Sequence, residues 1–111
     1  IKINSKGENI RDWLYVDDHV EAIDRVFHRG KAGEIYNIGG SKELSNIVVA
    51  KKIIKALNKK GNNIKFVADR LGHDFRYGID SSRIKKELKW SARISFVQGL
   101  KQTIAYYDSN P

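Results

Sequence analysis

Apolar residues recur every three or four positions in one stretch after residue 15, which is the spacing of an amphipathic helix. The pattern predicts a helix that Asp17 and Asp18 open at its positive end, that runs to about Arg29, and that stops at Gly30. His19 projects onto the apolar side of this helix, so we expect a packed histidine. The apolar face is predicted to comprise Val16, Val20, Ile23, Val26 and Phe27.

The second predicted helix has a lysine-rich surface opposite its apolar arc. Ser45 or Asn46 caps it, and we expect it to run to about Lys60 and to stop at Gly61. Because no aromatic side chains interleave with the lysines, the pattern favours a solvated helix face over a nucleic-acid-binding stripe. The apolar arc comprises Ile47, Ala50, Ile53, Ile54 and Leu57, and the opposite arc comprises Lys51, Lys52, Lys55 and Lys59.

Short strands and two further helices complete the predicted order. Aromatic and apolar residues favour a strand or extended segment at 13–16 and a strand at 34–38, and period-two alternation predicts a third strand at 64–68. Helices are expected from residue 81 or 82 through 90 and over 95–107, the latter opened by capping-box spacing. Alternating strands and helices indicate a small mixed α/β domain with about four helices, without a full doubly wound sheet.

The composition narrows the class of partner. The 111 residues make one domain or a fragment of one, and the formal net charge of +8 favours acidic partners such as nucleic acid, membrane headgroups or phosphorylated small molecules. Cysteine is absent, which excludes a disulfide framework and a cysteine nucleophile. No apolar run is long enough to span a membrane and no signal peptide is visible, so we expect a cytoplasmic protein. The three histidines lack metal-ligand spacing, so no metal site is predicted.

Residues 69–80 combine five charged side chains and one histidine with two glycines, and they show little apolar periodicity. One interpretation is a loop that presents Arg70 and His73 to a diphosphate through charge-assisted hydrogen bonds. The other is a surface loop in which the same cations pair with Asp69 and Asp74. The residue types alone leave these two interpretations about even.

Two polar residues elsewhere are further candidates for phosphate binding. Arg11 can present its guanidinium fork to phosphate oxygens, or it can pair with its neighbour Asp12. Asn46 is a favoured helix cap, and a helix start also offers free N–H groups and a positive dipole end to a phosphate. Gly39 and Gly40 are interpreted as a tight turn after a strand, since no third glycine completes a dinucleotide fingerprint.

Three strings in the sequence together resemble one family. They are Arg11-Asp-Trp-Leu-Tyr-Val-Asp-Asp-His19, Glu34-Ile-Tyr-Asn-Ile-Gly-Gly40 and Asp69-Arg-Leu-Gly-His-Asp-Phe-Arg-Tyr-Gly-Ile-Asp80. The family is that of the nucleotide-sugar 4,6-dehydratases, of which the dTDP-glucose enzymes are the usual members, within the extended short-chain dehydrogenase/reductase group. By resemblance, the substrate contacts fall on Arg11, Asn46, Asp69, Arg70, Leu71, Gly72 and His73, while Arg76, Tyr77 and Asp80 shape the loop. The chain departs from the family at Leu71, where Pro is usual, and at Asn4 and Ser5, where Tyr-Gly is usual.

The resemblance also implies that residues 1–111 are the C-terminal substrate-binding portion of a longer enzyme. The implied ligand is dTDP-glucose or a similar nucleotide sugar, and NAD is expected on a missing N-terminal Rossmann domain that carries the catalytic residues. Members of the family oxidise the sugar at C4 with NAD, eliminate water across C5 and C6, and return the hydride to C6. We therefore expect no catalytic, cofactor-binding or metal-binding residue in this chain, and no activity from the chain alone. The parent enzyme is expected to be a homodimer that binds neither nucleic acid nor membrane.

Three alternatives remain open from the sequence. The first is a related epimerase or dehydratase that acts on a UDP- or GDP-sugar. The second is a non-catalytic module that binds nucleotide sugars. The third is a small basic protein that binds nucleic acid, for which a steep dependence of affinity on salt is expected.

Overall fold

The computed structural model describes residues 1–58 and 64–110, and these contain four short strands and four helices. The strands are Lys2–Asn4 (β1), Ile10–Asp12 (β2), Glu43–Ser45 (β3) and Lys65–Val67 (β4). The helices are Val16–Arg29 (α1), Asn46–Ala56 (α2), Ser82–Leu88 (α3) and Phe96–Ser109 (α4). This content confirms the predicted small mixed α/β class. No helix in the described ranges is long and apolar enough to cross a membrane.

The chain folds as two compact units, each assembled from segments that are distant in sequence. The first unit consists of Ile1–Arg11 and Glu43–Gly78. The second consists of Asp12–Lys42 and Ile79–Pro111. Each unit therefore depends on tertiary pairing between an early and a late part of the chain.

Two pairs of strands organise the first unit. β1 runs parallel to β4 with Ile3 opposite Phe66, and β2 pairs with β3. The strand predicted at 64–68 is thereby confirmed, whereas β1 and β3 were not predicted because strands of three residues show too little alternation to detect. The buried apolar side chains of this unit come from β1 and α2, and they are Ile3, Val49, Ala50 and Ile54.

α2 begins as predicted and buries one edge of its apolar arc. Ser45 is the cap, because its Oγ accepts a hydrogen bond from the Val48 N–H at 3.4 Å, and Asn46 is the first helical residue. The helix ends at Ala56, and the expected end at Lys60 and Gly61 lies outside the described residues, as does Lys59. Lys51 and Lys55 are exposed and Lys52 is half-buried, while Leu57 at the end of the predicted apolar arc is exposed.

Trp90 lies at the centre of the second unit and is 1% exposed. Its ring packs in one cluster with Ala22 of α1 and with Ile84 and Leu88 of α3. The indole Nε1 donates a hydrogen bond to the carbonyl oxygen of Asp18 at 3.2 Å. The only polar atom of the buried ring is thus satisfied inside the core.

The predicted apolar face of α1 does not face this core, although the helix has the predicted bounds. Only Val26 of that face packs against the buried cluster. The remaining side chains form an exposed stripe, here called the α1 stripe, which consists of Val16, Val20, Ile23 and Phe27. His19 is also exposed, so the prediction of a packed histidine is wrong.

Hydrogen bonding decides which face of α1 turns inward. The buried carboxylate of Asp18 accepts hydrogen bonds from the backbone N–H groups of Arg93 and Ile94 at 3.2 and 3.0 Å. Arg25 donates to the carbonyl oxygen of Leu88 at the end of α3, at 3.0 Å. A buried carboxylate is costly unless it is fully bonded, so these partners fix the helix rotation that the apolar periodicity did not reveal.

The strand predicted at 34–38 is absent from the described residues, and the segment at 13–16, predicted to be a strand or extended, is extended at Tyr15 but forms no strand. Residues 13–15 have no regular structure, and the strand lies earlier, in β2, because Val16 is already the first residue of α1. Residues 34–38 are also irregular: Tyr36 and Ile38 pack against the core while Ile35 is exposed. The alternation of buried and exposed side chains there reflects an extended backbone. No strand of the described chain pairs with this segment, so it is not part of a sheet.

Gly39 and Gly40 are required because their backbone lies close to residues 12 and 13. The turn predicted here was expected to follow a strand, but no strand precedes it. A Cβ on Gly39 would lie 2.5 Å from Asp12 Oδ2, and one on Gly40 would collide with the carbonyl oxygen of Trp13. The Gly40 N–H donates to Asp12 Oδ1 at 3.0 Å. The two glycines therefore allow the chain to pack closely against Asp12 and Trp13.

The last two helices begin as predicted and differ at their ends. Ser95 Oγ accepts from the Gln98 N–H at 3.2 Å, which confirms the predicted cap of α4. α3 ends at Leu88 because Lys89 adopts a left-handed conformation with φ 56°, so the helix does not reach Trp90. α4 extends to Ser109, slightly beyond its predicted end.

Candidate anion-binding site

All the predicted substrate-contacting residues lie in the first unit, on three separate pieces of chain. One piece is the middle of β2, the second is the first residue of α2, and the third is a turn that follows β4. The residues are Arg11, Asn46 and, in the turn, Asp69, Arg70, Leu71, Gly72 and His73.

The turn at 70–73 is closed by its own backbone. The His73 N–H donates to the carbonyl oxygen of Arg70 at 3.3 Å, and Gly72 has φ 72°. A positive φ at the third position of a β-turn favours glycine, and such turns favour proline at the second position. That second position is Leu71, whose side chain is fully exposed. The family's usual proline and this chain's leucine therefore occupy the same solvent-facing corner.

Asp69 organises this turn. Its Oδ1 accepts a hydrogen bond from the backbone N–H of Arg70 at 2.9 Å and lies 2.7 Å from His73 Nδ1. The hydrogen bond from His73, assisted by Arg70, lowers the pKa of Asp69 below its ordinary value of 3.8. The carboxylate is therefore ionised at neutral pH, and it holds Nδ1 of His73 as the donor. The His73 side chain is only 4% exposed, so it packs against the turn and hardly reaches solvent.

Arg11 is held in place by two carbonyl groups and one aromatic ring. Its Nη1 donates to Ile10 O at 2.8 Å and its Nη2 donates to Asp74 O at 3.0 Å. The Cζ atom lies 4.4 Å from the ring centroid of Tyr77, which is the geometry of a cation–π contact. The alternative in which Arg11 pairs with Asp12 is wrong, because the described bonds of the Asp12 carboxylate come from the backbone N–H groups of residues 40 and 42.

The Tyr77 hydroxyl is bonded to Asp74 and experiences the charges of two arginines. It donates a short hydrogen bond to Oδ2 of Asp74, which raises the pKa of Tyr77 above its ordinary value of 10.0. The positive charges of Arg11 and Arg70 act on the pKa of Tyr77 in the opposite direction. The Tyr77 hydroxyl is thus subject to the charges of two arginines from segments that are far apart in sequence, and Arg11 is the one in direct contact with its ring. Among the described residues, Arg70 itself forms no ion pair.

Backbone hydrogen bonds attach the following residues of the loop to β2. The Ile10 N–H donates to Phe75 O at 2.7 Å, and the Tyr77 N–H donates to Ile10 O at 2.9 Å. Asn9 is buried, and its Nδ2 donates to Asp74 O at 3.1 Å. The carbonyl of Asp74 thus receives hydrogen bonds from both Asn9 and Arg11, and this shared acceptor fixes the loop beside Arg11.

The start of α2 offers less to an anion than the sequence suggested. The Asn46 N–H donates to Asn9 O at 3.0 Å, and the Ile47 N–H donates to Gly7 O at 2.8 Å. The Val48 N–H is bonded to the Ser45 hydroxyl. The expectation of free N–H groups at this helix start is therefore wrong, and a contribution of Asn46 to ligand binding rests on its side chain.

Four structural residues of the site were missed as candidates or were underestimated. They are Asn9, Glu43, Asp74 and Tyr77. Each of them contacts a residue that lies more than 30 positions away in the sequence. Tyr77 and Asp74 belonged to the recognised loop string, so the string located them but did not reveal their partners. Asn9 could have been found only through its place in the polar segment before β2.

The arrangement suits binding of an anion. Arg11 lies over the ring of a neutral phenol that also experiences the charge of Arg70, and the carboxylates of Asp69 and Asp74 are bonded to His73, to Tyr77 and to a backbone N–H group. Guanidinium groups are the side chains best matched to phosphate oxygens. In the described parts of the chain, no group of three or more His, Asp or Glu side chains is placed to hold a metal ion.

Comparison with known proteins identifies the family. A family model described as GDP-mannose 4,6 dehydratase matches residues 3–103. A dTDP-glucose 4,6-dehydratase of Haemophilus influenzae is 46% identical over 118 aligned positions, which cover 96% of this chain and 35% of that protein. The chain thus spans about a third of the length of the curated relatives that it matches.

Solved structures show the same fold over nearly the whole chain. The structure of a Bacillus anthracis dTDP-glucose 4,6-dehydratase in complex with NAD has a TM-score of 0.92 and 44% identity, and the match covers 98% of this chain and 34% of that one. A UDP-glucose 4-epimerase of Thermotoga maritima with UDP-glucose has a TM-score of 0.92 at 26% identity, and the match covers 99% and 35% of the two chains. The family model and these matches show that this chain belongs to the nucleotide-sugar 4,6-dehydratase family.

Proposed function

We propose that this chain forms the nucleotide-diphosphate-binding part of a dTDP-glucose 4,6-dehydratase. The main support is Arg11, which two carbonyl groups and the Tyr77 ring hold in place, together with the neighbouring turn, which carries Arg70 and whose carboxylate is already bonded internally. Guanidinium groups such as these two are well matched to the phosphates of a nucleoside diphosphate. The similarity to proteins named dTDP-glucose 4,6-dehydratase supports the choice of dTDP-glucose as the ligand.

Each residue of the proposed site has a distinct task. Arg11 and Arg70 donate charge-assisted hydrogen bonds to the diphosphate oxygens. Asp69, with Gly72 and His73, holds the turn that carries Arg70 in position, and Leu71 forms the exposed corner of that turn. Asn46 contributes a side-chain amide from the start of α2.

The chemical step belongs to the rest of the longer protein. There, bound NAD oxidises the sugar at C4, water is eliminated across C5 and C6, and the hydride returns to C6, giving a 4-keto-6-deoxy sugar nucleotide. This chain holds the nucleotide end of the substrate and is inactive alone. The longer protein is a cytoplasmic lyase, and its homodimeric state is part of the same proposal.

The remaining part of that protein is proposed to be an N-terminal Rossmann domain, and the α1 stripe supports this arrangement. Four large apolar side chains at helical spacing are exposed on α1, and Phe27 is 84% exposed. Apolar surface of this kind is stabilising only when another surface covers it. Since the chain spans about a third of its relatives' length, the segment absent from the chain is the proposed cover.

A UDP- or GDP-sugar epimerase or dehydratase is the alternative function. It is favoured by the similarity to a UDP-glucose 4-epimerase and by the Asn4 and Ser5 positions, where the family's usual Tyr-Gly is missing. The choice between these functions depends on which base is bound. The binding of diphosphates by the chain therefore tests both.

The experiment is a calorimetric titration of the chain with dTDP, UDP and GDP, repeated with Arg11→Ala and Arg70→Ala. We expect dTDP to bind more tightly than the other two and either substitution to weaken binding at least tenfold, since each removes a charge-assisted contact. Lys101→Ala is the matched control, because it removes an exposed cation from α4 in the other unit.

Three results contradict the proposal in different ways. Equal weakening by Lys101→Ala indicates nonspecific attraction to a basic protein. Selective binding of UDP or GDP overturns the dTDP assignment but keeps the site and supports the alternative function. Binding of all three diphosphates without any effect of Arg11→Ala and Arg70→Ala removes the site itself.

A further inference from the structure

Tyr77 contacts the proposed phosphate-binding arginine without itself being predicted to touch a ligand. Its ring lies under the Arg11 guanidinium, with 4.4 Å between Arg11 Cζ and the ring centroid. Its backbone N–H is bonded to Ile10 O, so the residue is anchored to the same strand that carries Arg11. The ring is therefore a fixed platform on which an arginine side chain rests.

Asp74 is bonded both to the Tyr77 hydroxyl and to the Arg11 side chain. Its carboxylate accepts the hydrogen bond of the Tyr77 hydroxyl, which orients the ring. Its carbonyl oxygen accepts from Arg11 Nη2 at 3.0 Å and from Asn9 Nδ2 at 3.1 Å. One residue thus determines both the position of the ring and the direction of the guanidinium plane.

The bonds made by Arg11 leave part of its donor capacity available. A guanidinium has five N–H donors, and in the described chain one from Nη1 and one from Nη2 are used by backbone carbonyls. An arginine that is already oriented loses less side-chain entropy when it binds a ligand than one that is mobile in solvent. The platform therefore prepares Arg11 for an anion before the anion arrives.

We propose that Tyr77 is a positioning residue that, together with Asp74, orients the Arg11 guanidinium for a diphosphate. This inference rests on the proposed function, because it concerns how the same site achieves its affinity. The ring makes the main contribution through the cation–π contact, and the hydroxyl keeps the ring in register. Removal of the ring is expected to weaken binding about two- to fivefold, because the ligand then has to order the Arg11 side chain itself.

The test combines NMR of the Arg11 side chain with dTDP titration of the chain. In the wild type, the Arg11 Hδ and Hε resonances should lie upfield of their random-coil positions, because they sit over the ring. Tyr77→Leu should abolish this shift and weaken dTDP binding about two- to fivefold, whereas Tyr77→Phe should keep the shift and rescue most of the affinity. Tyr107→Leu, which removes an exposed ring from α4, is the control and should change neither readout.

The outcomes separate this inference from the function on which it rests. If dTDP binds through Arg11 but Tyr77→Leu changes neither the Arg11 resonances nor the affinity, the positioning role is wrong and the proposed function stands. If the wild type does not bind dTDP, both fail. Should Tyr77→Leu not fold, the wild-type measurement still decides, because Arg11 resonances at random-coil positions overturn the inference without any variant.

Discussion

Arg76 and Glu43 form a bidentate ion pair between the loop at 69–80 and β3. Arg76 Nε donates to Glu43 Oε1 at 2.7 Å and Nη2 donates to Oε2 at 2.8 Å. The pair therefore attaches the loop to β3, in addition to its backbone bonds to β2 and the side-chain bonds from Asn9 and Arg11. Since Arg76 is bonded in this way, it is not a third free cation of the site.

Breaking this pair should change the dependence of stability on pH. The hydrogen bonds from Arg76 lower the pKa of Glu43 below its ordinary value of 4.5. Its stabilising contribution is therefore complete above pH 4.5 and is lost as the pH falls through the lower pKa of the folded state. Glu43→Gln should lower the unfolding midpoint at pH 7 and reduce the loss of stability on acidification, as measured by urea unfolding from pH 7 to 3.

A double-mutant cycle with Arg76→Gln provides the control for that prediction. Because each single change removes the same interaction, the double variant should be scarcely less stable than either single variant. Additive losses from Glu43→Gln and Arg76→Gln would show instead that the two residues act through different partners.

The turn at 70–73 should become more stable when Leu71 is replaced by the family's usual proline. Leu71 occupies the second position of a β-turn with positive φ at Gly72, where proline is favoured. Leu71→Pro should raise the free energy of unfolding by about 0.4–1 kcal/mol, because it restricts the unfolded chain. Chemical denaturation measures the gain, and Leu71→Ala, which shortens the same exposed side chain, should give none. A loss of stability would mean that the backbone at Leu71 does not suit proline.

Ser5 should be improved by glycine, which is the family's usual residue at this position. Ser5 has φ 54°, a left-handed conformation that costs a side chain about 1–2 kcal/mol. After the larger entropy of an unfolded glycine is subtracted, Ser5→Gly should stabilise the chain by about 0.5–1 kcal/mol. Ser5→Ala keeps the Cβ and should not reproduce the gain in thermal unfolding, so equal effects of Gly and Ala would assign the change to the hydroxyl.

The α1 stripe should make the isolated chain self-associate. Replacing Val20, Ile23 and Phe27 together by Gln should reduce association in sedimentation velocity and leave the unfolding midpoint nearly unchanged, because these side chains are exposed. In the longer protein, the same change should be destabilising by about 1.5–3 kcal/mol per covered side chain. Tyr107→Gln, which removes an exposed ring elsewhere in the same unit, should affect neither measurement.

An unaltered association of the triple variant would assign self-association to a different surface. Equal stability of the triple variant in the longer protein would mean that nothing covers the stripe there. The two measurements therefore test the self-association and the proposed domain arrangement separately.

The sequence by itself determined the fold class and the helix starts, and it proposed the residues of the candidate site. Helix caps and stops such as Ser45, Ser95 and Gly30 act within a few residues of their own position, so local chemistry is sufficient to place them. The string at 69–80 pointed to a binding loop only through its resemblance to a family, because its residue types alone left a binding loop and a salt-bridged surface loop about even.

Only the tertiary structure decided which face of α1 is buried and how the site is held together. A helix pattern reports an apolar face but not the surface that covers it, and here the buried Asp18 determined the rotation. The carbonyl oxygen of Asp74 accepts hydrogen bonds from the side chains of Asn9 and Arg11, which lie more than 60 positions away in the sequence. The Tyr77 ring makes its cation–π contact with Arg11 across a similar separation. Such contacts arise from the folding of distant segments onto one another, so no local pattern encodes them.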